Sequence, residues 1–186
     1  MTRIIGIAGS LRRHSFNLGL LQAAAAATPD GTTLDVHTIN DIPLYNADVE
    51  AAEGLPRAVI DLKDKIAAAD GLLLATPEYN NGIPGVFKNA IDWLSRPGSD
   101  IARVFGAKPV ALIGASPGGF GTILAQDAWL SVLRTLGTKP WFEGRLLAAR
   151  AGGLFDAEGR LVDDAVRERL AKFVAGFVTF VEESKA

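Results

Sequence analysis

The segment GSLRRHSFN, residues 9–17, places hydroxyl, guanidinium and amide groups between a short apolar run and an alanine-rich stretch. It leads into the start of a predicted helix, where free backbone N–H groups and the helix dipole favour an anion. An arginine can also hold a phosphate through two parallel hydrogen bonds. This set of groups therefore fits a phosphate site. The side chains that would form it are those of Ser10, Arg12, Arg13, Ser15 and Asn17.

A plainer interpretation of the same segment is a loop that caps its helix. In that case Ser15 is the N-cap and the arginines are solvated. The segment by itself leaves both interpretations open. His14 fits a turn residue as well as a ligand, because the only other histidine, His37, lies on a different predicted element.

A second segment, TPEYNNG at residues 76–82, combines backbone-shaping residues with a phenol and two amides. Pro77 and Tyr79 could wall a flat ring, and Asn80 with nearby backbone groups could bond its polar edge. Glu78 could be taken for a general base, but no partner carboxylate accompanies it. The alternative is a rigid exposed turn, since an asparagine–glycine pair is ordinary turn chemistry.

A third segment, SPGGFG at residues 116–121, has three glycines in four positions. Glycine allows a backbone to approach a ligand closely and tolerates positive φ. Ser116, Gly118 and Gly119 are therefore candidates for contact with a ligand. The alternative is a flexible connection between a strand and a helix.

The elements around these segments alternate between strands and helices. Continuous apolar runs of strand length indicate strands that are covered on both faces. Such runs occupy residues 3–9, 70–75 and 109–115, while residues 34–39 alternate like an edge strand and 139–142 form a short strand. Helices are predicted at 16–27, 55–69, 86–96, 125–136 and 163–183. Residues 40–54 and 97–108 are predicted as loops, and 144–162 show no clear pattern.

This alternation predicts crossover units, a parallel sheet and helices on both of its faces. Five strands within 186 residues suit a single domain, residues 1–186, with the doubly wound order 2-1-3-4-5. In that order strands 1, 3 and 4 are neighbours. The three polar segments follow these strands, so they should meet at the edge where open α/β sheets bind ligands.

The amino-acid composition excludes several classes of ligand and site. With 19 basic and 21 acidic side chains the net charge is about −2, which argues against nucleic acid. The absence of cysteine excludes a thiolate nucleophile and a thiolate metal site. No stretch is apolar enough to span a membrane, and the first residues do not form a secretory signal. We therefore expect a cytoplasmic protein.

Three segments, GSLRRHSFN, TPEYNNGIPGVFKNAIDWLSR and GASPGGFG, resemble in sequence and order the NADPH-dependent FMN reductase family, which includes quinone and chromate reductases. The likeness covers most of residues 3–136. It implies a flavodoxin-like fold, a bound FMN, and a homodimer or homotetramer. It differs at His14, where the family more often has a small residue.

The resemblance also implies a role for each segment. The first would hold the FMN phosphate, the second would bond and cover the isoalloxazine ring, and the third would lie along the other edge of that ring. The implied cofactor contacts are Ser10, Arg12, Ser15, Phe16, Asn17, Pro77, Glu78, Tyr79, Asn80, Ser116, Gly118 and Gly119. No metal and no catalytic side chain is implied.

The expected reaction is a ping-pong cycle. NADPH or NADH gives a hydride to the ring and leaves, and a small-molecule acceptor then binds in the place of the nucleotide and is reduced. A quinone is the first choice of acceptor; chromate, azo compounds and ferric complexes are others that the resemblance suggests. Two different functions remain as alternatives. One is a non-enzymatic, flavodoxin-type electron carrier, and the other is an α/β module for a different phosphorylated ligand.

Overall fold

Parallel strands form one sheet in the computed structural model, which describes residues 1–185. The strands are Thr2–Ala8 (β1), Thr32–His37 (β2), Gly71–Ala75 (β3), Pro109–Ala115 (β4), Lys139–Pro140 (β5) and Leu146–Ala148 (β6). Their order is β2-β1-β3-β4-β5, and β6 pairs with the second half of β4. The predicted order 2-1-3-4-5 and the flavodoxin-like fold are confirmed. The short strand β6, inside the segment without a clear pattern, was not predicted.

Helices cover both faces of the sheet. They are Phe16–Ala26 (α1), Ala47–Glu53 (α2), Arg57–Ala67 (α3), Gly85–Leu94 (α4), Ile101–Val104 (α5), Ile123–Thr135 (α6) and Asp164–Glu183 (α7). No helix within residues 1–185 is both long enough and apolar enough to cross a bilayer.

Two of these helices occupy segments that the sequence predicts as loops. Helix α2 begins after Asn46, whose side chain accepts a hydrogen bond of 2.9 Å from the N–H of Asp48, and it ends at Gly54 with φ +79°. None of its seven residues is fully buried, so the sequence of α2 has no apolar stripe that would predict a helix. Helix α5 is a single turn within 97–108. The loop predictions for 40–54 and 97–108 were therefore wrong in part.

The sheet separates two hydrophobic cores. On one face α1 and α7 pack against it, and Leu20 and Phe177 are fully buried there. On the other face α3, α4 and α6 contribute buried side chains such as Ile66, Trp93 and Trp129. Strand β3 is buried along its whole length, which explains its unbroken apolar sequence. The last helix, α7, buries one face against the sheet, with the side chains of Leu170, Phe173, Val174, Phe177, Val178 and Val181.

His37 ends the edge strand β2, and we expect it to make the stability of the fold depend on pH. Burial lowers the pKa of His37, and the nearby Lys65 lowers it further, whereas Asp35 opposes this and Arg3 adds to it. The imidazole Nε2 is buried without a hydrogen-bond partner among residues 1–185. The folded chain therefore binds a proton at this site less readily than the unfolded chain does.

Stability should consequently fall as the pH drops below about 6.5, the ordinary histidine value, and level off below the lowered pKa of the folded state. The measurement is urea unfolding between pH 8 and 5.5 for the wild type and for His37→Asn. In the variant, the free energy of unfolding should change less steeply with pH than in the wild type. Equal slopes in the two proteins would show that His37 does not titrate differently in the folded chain.

Candidate functional site

The three polar segments meet at the carboxyl edge of β1, β3 and β4. We call residues 9–17 the first loop, 76–82 the second loop and 115–121 the third loop. The strand ladder continues into the loops, because the Gly9 N–H donates to the Ala75 carbonyl and the Thr76 N–H donates to the Ile113 carbonyl, each over 2.9 Å. The sequence-based prediction that the loops share one edge agrees with this geometry.

The first and third loops are joined through Asn17. Its side-chain Nδ2 donates to the carbonyl of Ala115, and its Oδ1 accepts from the N–H of Ala115, both over 2.9 Å. Asn17 is 3 % exposed. This side chain thus fastens α1 to the end of β4, and the backbone N–H of Asn17 stays available to a ligand.

The second loop is joined to α6 through Glu78. The carboxylate Oε2 accepts from the N–H of Leu124 over 2.9 Å and from the N–H of Ala125 over 3.0 Å. These N–H groups belong to the first turn of α6, which has no side-chain cap from Thr122. Glu78 therefore caps a helix that follows the third loop, and the geometry gives it no task as a general base.

Replacing Glu78 with alanine should lower the free energy of unfolding by about 1–2 kcal/mol, because two helix N–H groups lose their acceptor and the helix dipole loses a nearby anion. Glu78→Gln keeps an acceptor oxygen and should recover part of this loss. Urea unfolding measures both, and the exposed Glu143→Ala is the control. A loss no larger than that of the control would contradict the capping role.

The start of α1 has the groups that an anion requires. Ser15 caps the helix and accepts from the N–H of Leu18 over 3.3 Å, and the first intrahelical bond runs from Gly19 to the Ser15 carbonyl. The N–H groups of Phe16 and Asn17 therefore precede the helical ladder and have no acceptor within it. Ser10 accepts from the N–H of Arg12 over 3.3 Å, which leaves its hydroxyl hydrogen available.

Positive charge stands beside these donors. Arg12 and Arg13 are exposed, and neither forms an ion pair with a carboxylate in the part of the chain from 1 to 185. The Arg12 guanidinium carbon lies 5.4 Å from the centroid of the Phe16 ring. The Arg12 guanidinium therefore packs over the Phe16 ring, and no aromatic ring among residues 1–185 packs in this way against Arg13.

The second loop ends in a tight turn. Tyr79 and Gly82 exchange two backbone hydrogen bonds of 3.1 and 3.0 Å around Asn80 and Asn81, whose φ values are +49° and +61°. Asparagine tolerates this left-handed conformation better than most residues. Tyr79 is 47 % exposed and Asn80 is also exposed, whereas Pro77 is buried. The side chains of Tyr79 and Asn80 are consequently open to contact by a ring, as is that of Asn81, which is also exposed.

The third loop is braced from within. The Ser116 hydroxyl donates to the carbonyl of Gly121 over 2.6 Å. Gly118 and Gly119 are exposed, and a Cβ on Gly119 would meet no atom within 4 Å. The backbone at Gly119 therefore borders open space, whereas a Cβ on Gly118 would lie 3.5 Å from the Ser116 hydroxyl oxygen. Ser116 shapes the loop, and the two glycines leave room beside it.

The sequence interpretation missed two supports of the site. Thr76 accepts a hydrogen bond of 3.0 Å from the indole N–H of Trp129, and a Cβ on Gly114 would lie 2.4 Å from the Thr76 carbonyl. A hairpin at residues 155–161 also lies against the first loop. Its sequence, FDAEGRL, carries a usable signal, because aspartate and glycine bracket a turn between apolar residues.

The donors of the site fit a flat coenzyme that carries a phosphate. At one end two hydroxyls, two helix N–H groups and an arginine suit the phosphate. At the other end an exposed phenol, an amide and an open glycine backbone suit a planar ring. An FMN molecule has both parts.

Comparisons with known proteins agree with this geometry. A family model described as NADPH-dependent FMN reductase matches residues 2–152. An NAD(P)H-dependent FMN reductase of Pseudomonas aeruginosa is 46% identical over 166 residues, which cover 89% of this chain and 88% of the relative. A 2-hydroxy-1,4-benzoquinone reductase of a Burkholderia species is 37% identical over 183 residues, with 98% of each chain covered.

A solved structure gives the same result. FerB of Paracoccus denitrificans, a flavoenzyme NAD(P)H:(acceptor) oxidoreductase, superposes with a TM-score of 0.85 at 33% identity over 98% of both chains. The family match, residues 2–152, covers well over half of the sequence. The chain belongs to the NADPH-dependent FMN reductase family.

Proposed function

We propose that this protein is a single-domain FMN-dependent NAD(P)H oxidoreductase that reduces quinones or similar small acceptors. The observation that carries the proposal is the convergence of the three loops at one edge of the sheet, fastened by the Asn17–Ala115 and Glu78–α6 hydrogen bonds. The enzymes named as quinone reductases among the relatives support the acceptor class.

The first loop would hold the phosphate of FMN. Hydroxyls of Ser10 and Ser15, the N–H groups of Phe16 and Asn17, and the guanidinium of Arg12 would donate to the phosphate oxygens. Hydrogen bonds to a charged group contribute about 1.5–3 kcal/mol each. The helix dipole of α1 acts in the same direction, because it places partial positive charge at this end.

The second and third loops would hold the ring. Tyr79 and Asn80 stand on the tight turn of the second loop, and Gly118 and Gly119 are exposed on the third loop, with open space beside Gly119. When bound, FMN supplies the two-electron redox chemistry that links oxidation of NAD(P)H to reduction of an acceptor. The protein's task is to bind and orient this group and to leave one side of the ring accessible.

The residues around the site suit substrates that are flat or anionic. Tyr79 and Phe120, 47 % and 82 % exposed, offer aromatic surface on the second and third loops. Arg13 and Arg150 are exposed cations on the first loop and next to the third. A nicotinamide nucleotide carries both an aromatic ring and phosphates, and a quinone is flat and aromatic. Oxidant and reductant would therefore use the same opening in turn.

A steady-state assay tests this function. NADPH oxidation is followed with 1,4-benzoquinone as the varied acceptor, and parallel double-reciprocal lines are expected because the two substrates alternate. A flavodoxin-type carrier would bind FMN yet show negligible turnover with NADPH and quinone. That outcome would contradict the proposed enzymatic function and support an electron carrier instead.

We also propose a cytoplasmic homodimer or homotetramer, as the family resemblance implies. Exposed apolar side chains at Leu124, Leu130 and Phe142, on and beside α6, are consistent with contact between subunits. Light scattering during size-exclusion chromatography measures the mass directly. A mass of 19.6 kDa, that of one chain, would contradict self-association.

A further inference from the structure

Residues 148–161 contact both the first and the third loop. On the side of the third loop, the Ala148 carbonyl accepts a hydrogen bond of 3.1 Å from the backbone N–H of Ser116. The backbone N–H of Arg150 donates to the Gly118 carbonyl over 2.9 Å. Ala151 donates to the Ser116 carbonyl over 3.0 Å. The third loop is therefore held in place by the backbone of this later segment.

The same segment continues into a hairpin, residues 155–161, which lies beyond the residues 2–152 that the family model matches. Phe155 and Leu161 form an antiparallel bridge. The Asp156 carboxylate accepts from the N–H groups of Glu158 and Arg160 over 3.0 and 2.9 Å. These bonds fix the turn through its own residues, so the hairpin can act as a preformed unit.

The hairpin turn lies directly on the first loop. The carbonyl of Glu158 can only accept, so the Nδ1–H of His14, 3.1 Å away, donates to it. Gly159 has φ +81°, and a Cβ there would lie 3.1 Å from the His14 carbonyl carbon. A Cβ on Gly19 would lie 1.9 Å from the Gly159 carbonyl oxygen. The hairpin and the first loop are thus in contact through backbone atoms, so a side chain added at either glycine could not be accommodated by a change of rotamer.

The base of the hairpin supports the arginine of the first loop. Phe155 and Phe16 have ring centroids 5.0 Å apart, and Arg12 stands 5.4 Å above the Phe16 ring. Phe155 is 7 % exposed, so this stack is anchored in the core. The position of the Arg12 guanidinium therefore depends on an aromatic side chain of the hairpin.

We propose that the hairpin 155–161 is a positioning element for the phosphate end of the cofactor. It fixes the start of α1 and the Arg12 side chain relative to the third loop, through the contacts of His14, Phe16 and Gly19. The proposal rests on the proposed function, since it assumes that FMN is the ligand. His14, Phe155 and Gly159 are positioning residues and do not themselves touch FMN.

The test compares two glycine substitutions at the same φ angle. Gly159→Ala introduces a Cβ at φ +81° against His14, whereas Gly31→Ala introduces one at φ +81° with no atom within 4 Å. Deflavinated proteins are titrated with FMN and, separately, with riboflavin, which lacks the phosphate. The readout is the quenching of flavin fluorescence.

The Kd for FMN should rise by about tenfold in Gly159→Ala relative to Gly31→Ala, the equivalent of one weakened charged hydrogen bond. The Kd for riboflavin should be the same in both variants. His14→Ala provides a second, milder perturbation with the same selective effect on FMN. His14→Asn, which keeps an N–H donor near the Glu158 carbonyl, should recover most of the wild-type FMN affinity.

Two results would overturn the proposal. Equal FMN affinities in Gly159→Ala and Gly31→Ala would show that the hairpin does not position the phosphate end. Parallel losses for FMN and riboflavin would assign the hairpin to general stability instead. A wild-type protein that binds neither flavin would overturn the proposed function itself, so the two failures are distinguishable.

Discussion

Replacing Asn17 with leucine should lower the free energy of unfolding by about 2–6 kcal/mol. Leucine has the same number and branching of side-chain heavy atoms but cannot pair with Ala115, so a buried N–H and a buried carbonyl both lose their partner. Each unsatisfied buried group costs about 1–3 kcal/mol. Domains of this kind are commonly stable by only about 5–15 kcal/mol, so the loss should be evident in urea unfolding.

Asn40→Leu is the matched control for this experiment. Asn40 is exposed, and its side chain makes one hydrogen bond of 3.3 Å, to the carbonyl of Leu11. Its loss should cost at most about 1 kcal/mol, because water can replace the partner. If Asn17→Leu were no more damaging than Asn40→Leu, Asn17 would not be the link between α1 and β4.

Replacing Arg12 with alanine should raise the Kd for FMN by about 10- to 150-fold, since a charged hydrogen bond to phosphate is worth about 1.5–3 kcal/mol. The Kd for riboflavin should stay near that of the wild type. Flavin fluorescence titration measures both constants. The expected selectivity follows from the position of Arg12 beside the helix N–H groups at the phosphate end.

Arg13→Ala is the matched comparison, because Arg13 is an exposed neighbour without support from an aromatic ring. Its effect on FMN affinity should be several-fold smaller than that of Arg12→Ala. An FMN affinity that is unchanged in Arg12→Ala would remove this residue from the site. A large effect in Arg13→Ala alone would transfer its role to Arg13.

The position of the site follows from sequence to a large extent. Apolar runs at 3–9, 70–75 and 109–115 identify central parallel strands, and their order brings the following loops together. The signal is strong because buried strands need unbroken apolar sequence and because parallel connections have few allowed topologies. The sequence alone therefore predicts which edge of the sheet carries the site.

The tasks of individual polar residues do not follow in the same way. The residue types of the first loop make Asn17 a candidate phosphate contact, and the family resemblance makes Glu78 a candidate contact of the ring. In the fold their side chains satisfy backbone groups of Ala115 and of the first turn of α6. Those partners lie 98 and 46 residues away, so only the tertiary structure brings them together.

The least predictable segments are those without hydrophobic periodicity. Helix α2 has no buried residue, and strand β6 has only three residues, so neither produces a recognisable pattern. The hairpin 155–161 is held by its own aspartate and by backbone contact with the first loop. Such contacts depend on glycine at positions 19 and 159, where the reason for glycine is visible only in three dimensions.

The central claim is that the three loops together bind FMN by its phosphate and its ring. The most direct measurement is a titration of the deflavinated protein with FMN and with riboflavin, followed by flavin fluorescence. The account predicts saturable binding of FMN, with a lower Kd than that of riboflavin because of the groups at the start of α1. Absence of FMN binding, or equal affinity for the two flavins, would contradict it.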